Sequence, residues 1–214
     1  MKIIDISRLL SAELAQWPGD VPFRFTANCS IAEGASVNLG MLTTSAHNGS
    51  HADARFHFES DGWTIENAQL ETYLGPAIVA DLSPNYTGDS YPQITVAKLD
   101  PWADELRKAP RLLLKTNVWS DSRNFPKQIP TIAPDVPAWL QELGVKLLAL
   151  DLPSVDEITS KTLANHHALA KAGINIVESL DLRAVEAGRY NFAGLPLKIA
   201  GGDGSPIRAV LWRD

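Results

Sequence analysis

The chain contains one cysteine, no long apolar run and no excess of positive charge. Because Cys29 stands alone, no disulfide bond can form within the chain. No apolar run approaches the roughly 20 residues that a membrane-spanning helix needs, and the first residues lack the apolar stretch and small-residue cleavage site of a signal peptide. The net charge of −6 disfavours nucleic acid and anionic membranes as partners. We therefore expect a cytoplasmic protein that binds neither.

The chain has 214 residues, which is enough to form one well-filled hydrophobic core. Apolar residues make up 45% and charged residues 21%, as in an ordinary soluble globular protein. The sequence shows no internal repeat, low-complexity tract or linker. We therefore predict one domain over residues 1–214.

Short β-prone runs separated by turn signals predominate in the first half of the chain. Strands are predicted at residues 2–6, 23–27, 37–44, 77–82, 111–117, 146–152, 174–180 and 196–200. Helices are predicted at residues 100–108, 137–143 and 161–172, the last with Ser160 as N-cap and Gly173 as stop, and an ordered loop at 124–137. No Gly-x-Gly-x-x-Gly motif follows a strand. The pattern predicts an α+β fold, β-rich in its first half with helices mainly in the second, and not a Rossmann fold.

All five histidines fall in two short stretches that also carry acidic residues. The first stretch, HNGSHADARFH, runs from His47 to His57, and the second holds His166 and His167, with Glu178 following. Imidazole and carboxylate are ligands that divalent zinc, manganese and iron prefer. Histidines that serve only for packing would be scattered, so the clustering indicates a metal site and favours catalysis.

The spacing of the first stretch is compatible with an extended segment. In a strand alternate side chains share a face, so one face could present His47, His51, Asp53 and His57. A helix would turn Asp53 away, and Gly49 also disfavours a helix.

The second stretch adds further candidate ligands. His166 and His167 both lie on the predicted helix at 161–172, and we expect one of them to be a ligand and the other a supporting or structural residue. Glu178 lies in an apolar predicted strand, where burial against a cation is the better explanation for a carboxylate. Six candidates exceed the four ligands of one closed tetrahedral zinc. They suit two cations that share bridging carboxylates and keep positions open for water and substrate.

At these residues the chain resembles the bacterial kynurenine formamidases of the cyclase-like metal hydrolase family. Their signature, His-x-Gly-Thr-His-x-Asp-x-Pro-x-His, is matched between His47 and His57, and the likeness extends through nearly the whole chain. Further matching segments are IDIS from Ile4, WPGD from Trp17, YLGP from Tyr73, LKTN from Leu114, PSVD from Pro153, SKTL from Ser160, HHAL from His166 and LPL from Leu195.

The resemblance implies a swivelling β/β/α domain that forms homodimers and hydrolyses N-formyl-L-kynurenine, an aryl formamide, to L-kynurenine and formate in tryptophan breakdown. It also implies two zinc ions per subunit, with manganese as the alternative metal. By the same resemblance, His57 is the proton donor and acceptor and Trp17 borders the substrate. The implied ligands are His47, His51 and Asp53 for one ion, Asp53 and His166 for the second, and Glu178 for both.

Two residues depart from the family signature. Ser50 replaces the usual threonine and keeps its hydroxyl group. Arg55 replaces the usual proline, and we expect it to add a flexible cation near the pocket that could meet the substrate's carboxylate.

The sequence is also compatible with three rival functions. Within the family, a manganese-dependent cyclic-amide hydrolase such as an isatin hydrolase is the nearest. A non-haem iron oxygenase is suggested by His51-x-Asp53 plus a distant histidine, which imitates a facial triad, although it leaves His47, His57 and Glu178 unexplained. A structural or sensory metal-binding module is the non-enzyme rival, and the surplus of ligands over one closed site disfavours it.

Overall fold

The computed structural model describes residues 2–86 and 91–213. Its strands are β1 (Lys2–Asp5), β2 (Arg24–Cys29), β3 (Leu39–Thr43), β4 (His51–Asp53), β5 (Leu74–Asp81), β6 (Arg111–Lys115), β7 (Leu147–Leu150), β8 (Asn175–Glu178), β9 (Gly188–Ala193), β10 (Gly204–Pro206) and β11 (Val210–Arg213). Its α-helices are α1 (Val96–Leu99), α2 (Ala103–Leu106), α3 (Val136–Glu142) and α4 (Ala164–Lys171). The predicted α+β class is confirmed.

One mixed sheet organises the chain, with the strand order β1-β11-β9-β5-β6-β7-β8-β4-β10. Its centre, from β5 to β8, is parallel. The runs Leu112–Leu114 and Leu147–Leu150 are buried on both faces, as is usual for parallel strands covered by structure on each side. In β6, Leu112 and Leu114 belong to the core cluster that includes α3 and α4, whereas Leu113 belongs to the cluster on the opposite face.

The antiparallel end of this sheet positions the metal-ligand candidates. Strand β4 lies between β8 and β10 and pairs antiparallel with both. In this register His51 is opposite Glu178, and Asp53 is opposite Gly204. Residues directly opposite one another in such a pair project to the same face, so the sheet brings together residues from distant parts of the sequence.

Strands β2 and β3 form a separate two-stranded sheet. Phe25 pairs with Leu42, and Thr26 pairs with Met41. Phe25, Leu39, Met41 and Leu42 are all more than half exposed, although apolar side chains of this size usually pack against something. A two-stranded hairpin alone is at best marginally stable in water.

Several predicted elements differ from the observed ones. The strand predicted at 196–200 is irregular backbone, and strands β9, β10 and β11, which were not predicted, follow or flank it. Pro196 lacks the N–H that a strand ladder needs. The polar residues of β9 and the shortness of β10 obscure the alternation that indicates strands.

Two predicted helices also differ in their bounds. The helix predicted at 100–108 consists of a 3₁₀ turn at Asp100–Trp102 followed by α2, and α1 precedes it as a separate short helix that was not predicted. The helix predicted at 161–172 begins only at Ala164, because Leu163 adopts a left-handed backbone with φ of 46°. Ser160 therefore does not cap this helix; its Oγ accepts a hydrogen bond from the Leu163 N–H.

Candidate metal centre

The histidine-rich stretch does not form one continuous strand face. Only His51 and Asp53 lie on β4, whereas His47 lies in the preceding turn and His57 ends a 3₁₀ helix, Arg55–His57. Gly49 permits the change of direction, since its φ is 66°. The single extended face expected from the odd numbering is thus wrong, although the turn still brings all four side chains to one site.

Two histidines and Asp53 form the first half of the site. Nδ1 of His47 lies 3.2 Å from Asp53 Oδ1, and Nε2 of His51 lies 3.4 Å from the same oxygen. Nδ1 of His51 donates a hydrogen bond of 2.8 Å to the Gly49 carbonyl, which leaves Nε2 as the nitrogen that can bind a cation.

His166 forms the second half of the site from the first turn of α4. Its Nδ1 donates a 2.7 Å hydrogen bond to Asp156 Oδ2, and its Nε2 faces Asp53 Oδ2 at 3.8 Å and Glu178 Oε1 at 3.7 Å. Asp156 was part of a matching segment but was not predicted as a site residue. In metal sites, the histidine nitrogen that does not bind the metal commonly donates a hydrogen bond to a carboxylate, which fixes the orientation of the ring.

The buried carboxylate of Asp53 lacks a hydrogen-bond donor among the described residues, so a cation is the partner that best suits it. Both its oxygens are buried without an oriented hydrogen bond, a costly state for an ionised group. Glu178 Oε2 faces His51 at 3.5 Å, and Glu178 Oε1 faces His166. Each carboxylate therefore directs one oxygen to each half of the site, as a pair of bridging ligands would.

The electrostatics of the site also favour a cation. Burial and the neighbouring charge of Asp53 raise the pKa of Glu178 well above its usual value. Burial opposes ionisation of Asp53 too, but His47 and His51 hold its pKa well below normal. Burial lowers the pKa of His51 to about 4, which keeps the imidazole neutral, as metal binding requires.

Asp203 joins the site although it was not predicted. Burial opposes the charged form of His47, but its hydrogen bond with Asp203 and the adjacent negative charge of Asp53 raise the pKa of His47 to about 10. The pKa of Asp203 falls to about 2 because of its hydrogen bond with His47. Asp203 stands in the sequence Gly201-Gly202-Asp203-Gly204, and an acid flanked by glycines is the only sequence signal that could have drawn attention to it.

His57 lies at the wall of the same site. Its ring packs against that of His47, with centroids 3.9 Å apart and a tilt of 33°. Burial lowers the pKa of His57, so the imidazole is largely neutral near pH 7 and can accept a proton.

An open cavity of about 390 Å³ lies beside these groups. Trp17, Trp119 and Phe125 line it; Phe125 lies edge-on to Trp17 at 5.3 Å and to Trp119 at 5.6 Å. These three residues are called the aromatic wall below. Trp17 is 38% exposed, and its carbonyl accepts from the Asp20 N–H in a tight turn. Trp17 thus lines the same cavity as the candidate ligands His47, His51, His166 and Glu178.

Arg55 does not reach this cavity, contrary to our expectation. Its side chain is 16% exposed, and Nη1 lies 3.8 Å from Glu59 Oε1. Arg55 borders a small crevice with Phe58 and Trp63. The cation expected near the substrate is therefore directed elsewhere.

Ser50 and His167 have no direct place among the metal-facing groups. The hydroxyl of Ser50 donates to the Ser179 carbonyl and accepts from the Arg8 N–H, so it ties β4 to neighbouring segments. His167 is half exposed and lies 4.0 Å from Glu59. Of the doublet, only His166 faces Asp53 and Glu178.

Within residues 2–86 and 91–213, no helix is long and apolar enough to cross a membrane.

The sheet, the buried carboxylate pair and the imidazoles beside an open cavity define an α+β protein with a candidate metal centre. The family described as "Putative cyclase" matches residues 4–157, and the chain belongs to this family.

Relatives of known name match almost the full length of the chain. A kynurenine formamidase of Geobacillus thermodenitrificans is 42% identical over 209 residues, which cover 97% of this chain and 96% of that protein. A kynurenine formamidase of Bacillus cereus is 40% identical over 208 residues, with the same two shares. The family resemblance stated from the sequence is confirmed.

Solved structures share the fold. Isatin hydrolase A from Labrenzia aggregata is 21% identical with a TM-score of 0.83, over 98% of this chain and 93% of that one. A predicted metal-dependent hydrolase from Bacillus stearothermophilus is 23% identical with a TM-score of 0.79, over 98% and 97%. The fold expected from the family resemblance is therefore confirmed.

Proposed function

We propose that this chain is a metal-dependent hydrolase that converts N-formyl-L-kynurenine into L-kynurenine and formate, in the cytoplasm. The observation that carries this proposal is the pairing of Asp53 and Glu178, each of which faces both His51 and His166 beside an open cavity. The identity of 40–42% with kynurenine formamidases over 97% of the chain supports the choice of substrate.

The metal content that we propose is two divalent cations per chain, zinc or alternatively manganese. His47, His51 and Asp53 would hold one, Asp53 and His166 the other, and Glu178 both. Support comes from the buried, unpartnered oxygens of Asp53 and from ligand types that suit either metal. When bound, such cations supply a water acidified towards neutral pH and an electrophile for a carbonyl oxygen.

His57 is the residue that we propose to move the proton. Hydrolysis of an aryl formamide releases an arylamine, which must gain a proton as the C–N bond breaks. His57 borders the cavity and lies next to His47, and burial lowers its pKa. A neutral imidazole at this place can take a proton from water and return it to the nitrogen of the leaving group.

The aromatic wall is proposed to bind the ring of the substrate. The cavity volume of about 390 Å³ is in the usual range for a small-molecule site. Aromatic rings prefer edge-to-face or offset contact, worth about 0.5–1.5 kcal/mol beyond area burial. The wall would hold the aryl group while the formyl group lies towards the carboxylates.

We also propose that the protein is a homodimer. The hairpin of β2 and β3 exposes Phe25 and Leu42 on one face and Leu39 and Met41 on the other. Exposed apolar surface of this kind commonly marks a protein interface. Contact with a second copy would cover it.

The test is hydrolysis by purified protein loaded with zinc or manganese. N-formylkynurenine and isatin are supplied separately, with chelator-treated protein and His57→Ala as controls. Metal-dependent release of formate from N-formylkynurenine is the expected result. If the protein opens the ring of isatin but does not hydrolyse N-formylkynurenine, the substrate is a cyclic amide and not the proposed formamide. If the metal-loaded protein acts on neither compound, it is not a hydrolase of these substrates.

A further inference from the structure

Asp203 lies between two histidines that have different proposed roles. Its Oδ2 accepts a hydrogen bond of 3.2 Å from Nε2 of His47 and lies 3.7 Å from Nδ1 of His57. The two imidazole rings lie 3.9 Å apart with a tilt of 33°, and the same carboxylate oxygen faces both of them. Asp203 therefore links a candidate metal ligand to the candidate proton-transfer group.

The backbone around Asp203 is held against the strand that carries other candidate ligands. The Asp203 carbonyl accepts from the Ala54 N–H at 2.9 Å, and Gly204 pairs with Asp53. A Cβ at Gly204 would lie 2.7 Å from Cε1 of His47, which is closer than non-bonded carbons allow. His47 thus packs directly on the backbone next to Asp203, and strand pairing sets the position of the carboxylate.

We propose that Asp203 is a positioning residue that orients His47 for metal binding and His57 for proton transfer. This inference rests on the proposed metal-dependent hydrolysis. By accepting the Nε2–H of His47, Asp203 leaves Nδ1, which lies 3.2 Å from Asp53 Oδ1, free to bind a cation. A carboxylate at Nδ1 of His57 favours the tautomer whose Nε2 can accept a proton.

The position of Asp203 also distinguishes it from the proposed ligands. Its side chain is 47% exposed, whereas those of Asp53 and Glu178 are only 2% and 5% exposed. Asp203 contacts His47 on the nitrogen opposite to the one that faces Asp53. A direct ligand would be expected on the same side of the ring as Asp53, so support through His47 is the better explanation.

The test measures metal affinity and catalysis in Asp203→Asn and Asp203→Glu. Asp203→Asn should lower the affinity for zinc in chelator competition, or the activity, by about 10–100-fold, as loss of a supporting carboxylate typically does. Zinc stoichiometry at saturation should be unchanged, and kcat should fall more than KM changes. Asp203→Glu, which keeps the charge, should restore part of both properties.

Glu66→Gln is the matched control. Glu66 Oε1 accepts a hydrogen bond from the Gly201 N–H, two residues before Asp203, and makes no contact with His47 or His57 in the described part of the chain. If distortion of the loop were the cause, this variant would show the same defect. We expect its zinc affinity and kcat to stay within about twofold of the unsubstituted protein.

Two outcomes would overturn the proposal. Loss of one zinc ion per chain from Asp203→Asn at saturation would show that Asp203 is itself a ligand. Unchanged zinc affinity together with unchanged kcat would show that Asp203 orients neither histidine. Circular dichroism of each variant checks that it folds. Chelator competition needs no substrate, so the effect on His47 remains decidable even if N-formylkynurenine is not the substrate.

Discussion

His51 of β4 lies directly opposite Glu178 of β8, and His51 Nε2 approaches Glu178 Oε2 to 3.5 Å. This pairing places a buried imidazole beside a buried carboxylate, although the two residues are far apart in the sequence. Asp53, two residues further along β4, faces the same imidazole. The antiparallel contact between β4 and β8 is therefore the structural basis of the candidate metal centre.

The bridging position of Asp53 predicts how the metal content responds to substitution. The unsubstituted protein, saturated with zinc, should hold two ions per chain, as in other two-metal sites. His166→Ala should lose one ion, whereas Asp53→Asn should lose both, because among the residues that the structure describes only Asp53 faces His47, His51 and His166. Metal analysis after gel filtration measures this, with Asp181→Asn as a control outside the site. A stoichiometry that never exceeds one would contradict the prediction.

Removal of metal should destabilise the protein. A ligand that binds only the folded state adds about 4 kcal/mol to the free energy of unfolding at a concentration of 1,000 times its Kd. Zinc should therefore raise the Tm of the unsubstituted protein and not that of Asp53→Asn. Calorimetry with and without chelator checks both, and an equal rise in the two proteins would mean that zinc binds elsewhere.

The role of His57 predicts a separation between metal binding and catalysis. His57→Ala should keep its full metal content and lose about 10²–10⁴-fold in kcat, the usual contribution of a placed proton donor. His167→Ala is the matched control, because its imidazole is half exposed and faces Glu59 rather than the site. Loss of zinc from His57→Ala would instead make His57 a ligand.

The aromatic wall predicts an effect on substrate binding. Trp17→Ala should raise KM for N-formylkynurenine with metal content and Tm nearly unchanged, because Trp17 is 38% exposed and contacts Phe125 at the cavity edge. Trp212→Ala is the control, since β11 lies near the opposite end of the sheet from β4. A lower Tm with an unaltered KM would show that Trp17 only anchors its turn.

The orientation of Arg55 predicts that restoring the family's proline is tolerated. Arg55 begins a 3₁₀ helix and follows Ala54, whose φ of −91° and ψ of 159° suit a residue before proline. The ion pair with Glu59 is worth at most about 1 kcal/mol. Arg55→Pro should change the free energy of unfolding by no more than about 1 kcal/mol and leave KM unaltered. A large rise in KM in steady-state kinetics would show that Arg55 contacts the substrate.

The exposed hairpin predicts the oligomeric state. Light scattering should show a dimer at micromolar concentration, and Phe25→Ser with Met41→Ser should shift it towards monomer, because these side chains are 68% and 59% exposed in one copy. Leu9→Ser, at a residue 81% exposed outside the hairpin, is the control. A monomer in the unsubstituted protein would refute the homodimer.

The sequence alone determined the family, the α+β class and which residues are candidates for metal ligands. Clustering of every histidine beside acidic residues is visible without coordinates, because it depends only on residue identity and spacing. The buried leucine-rich strands were also predicted close to their observed positions, since a short continuous apolar run bounded by turn signals is itself a recognisable pattern for a buried strand.

Only the tertiary structure decided how these residues are arranged. The odd numbering of His47, Asp53 and His57 suggested one strand face, but a turn at Gly49 and a 3₁₀ helix interrupt it. Asp203 joins the site through the pairing of β10 with β4, and Arg55 turns towards Glu59. Local spacing cannot specify such contacts, because strand register and side-chain direction are set by packing between segments that are distant in the sequence.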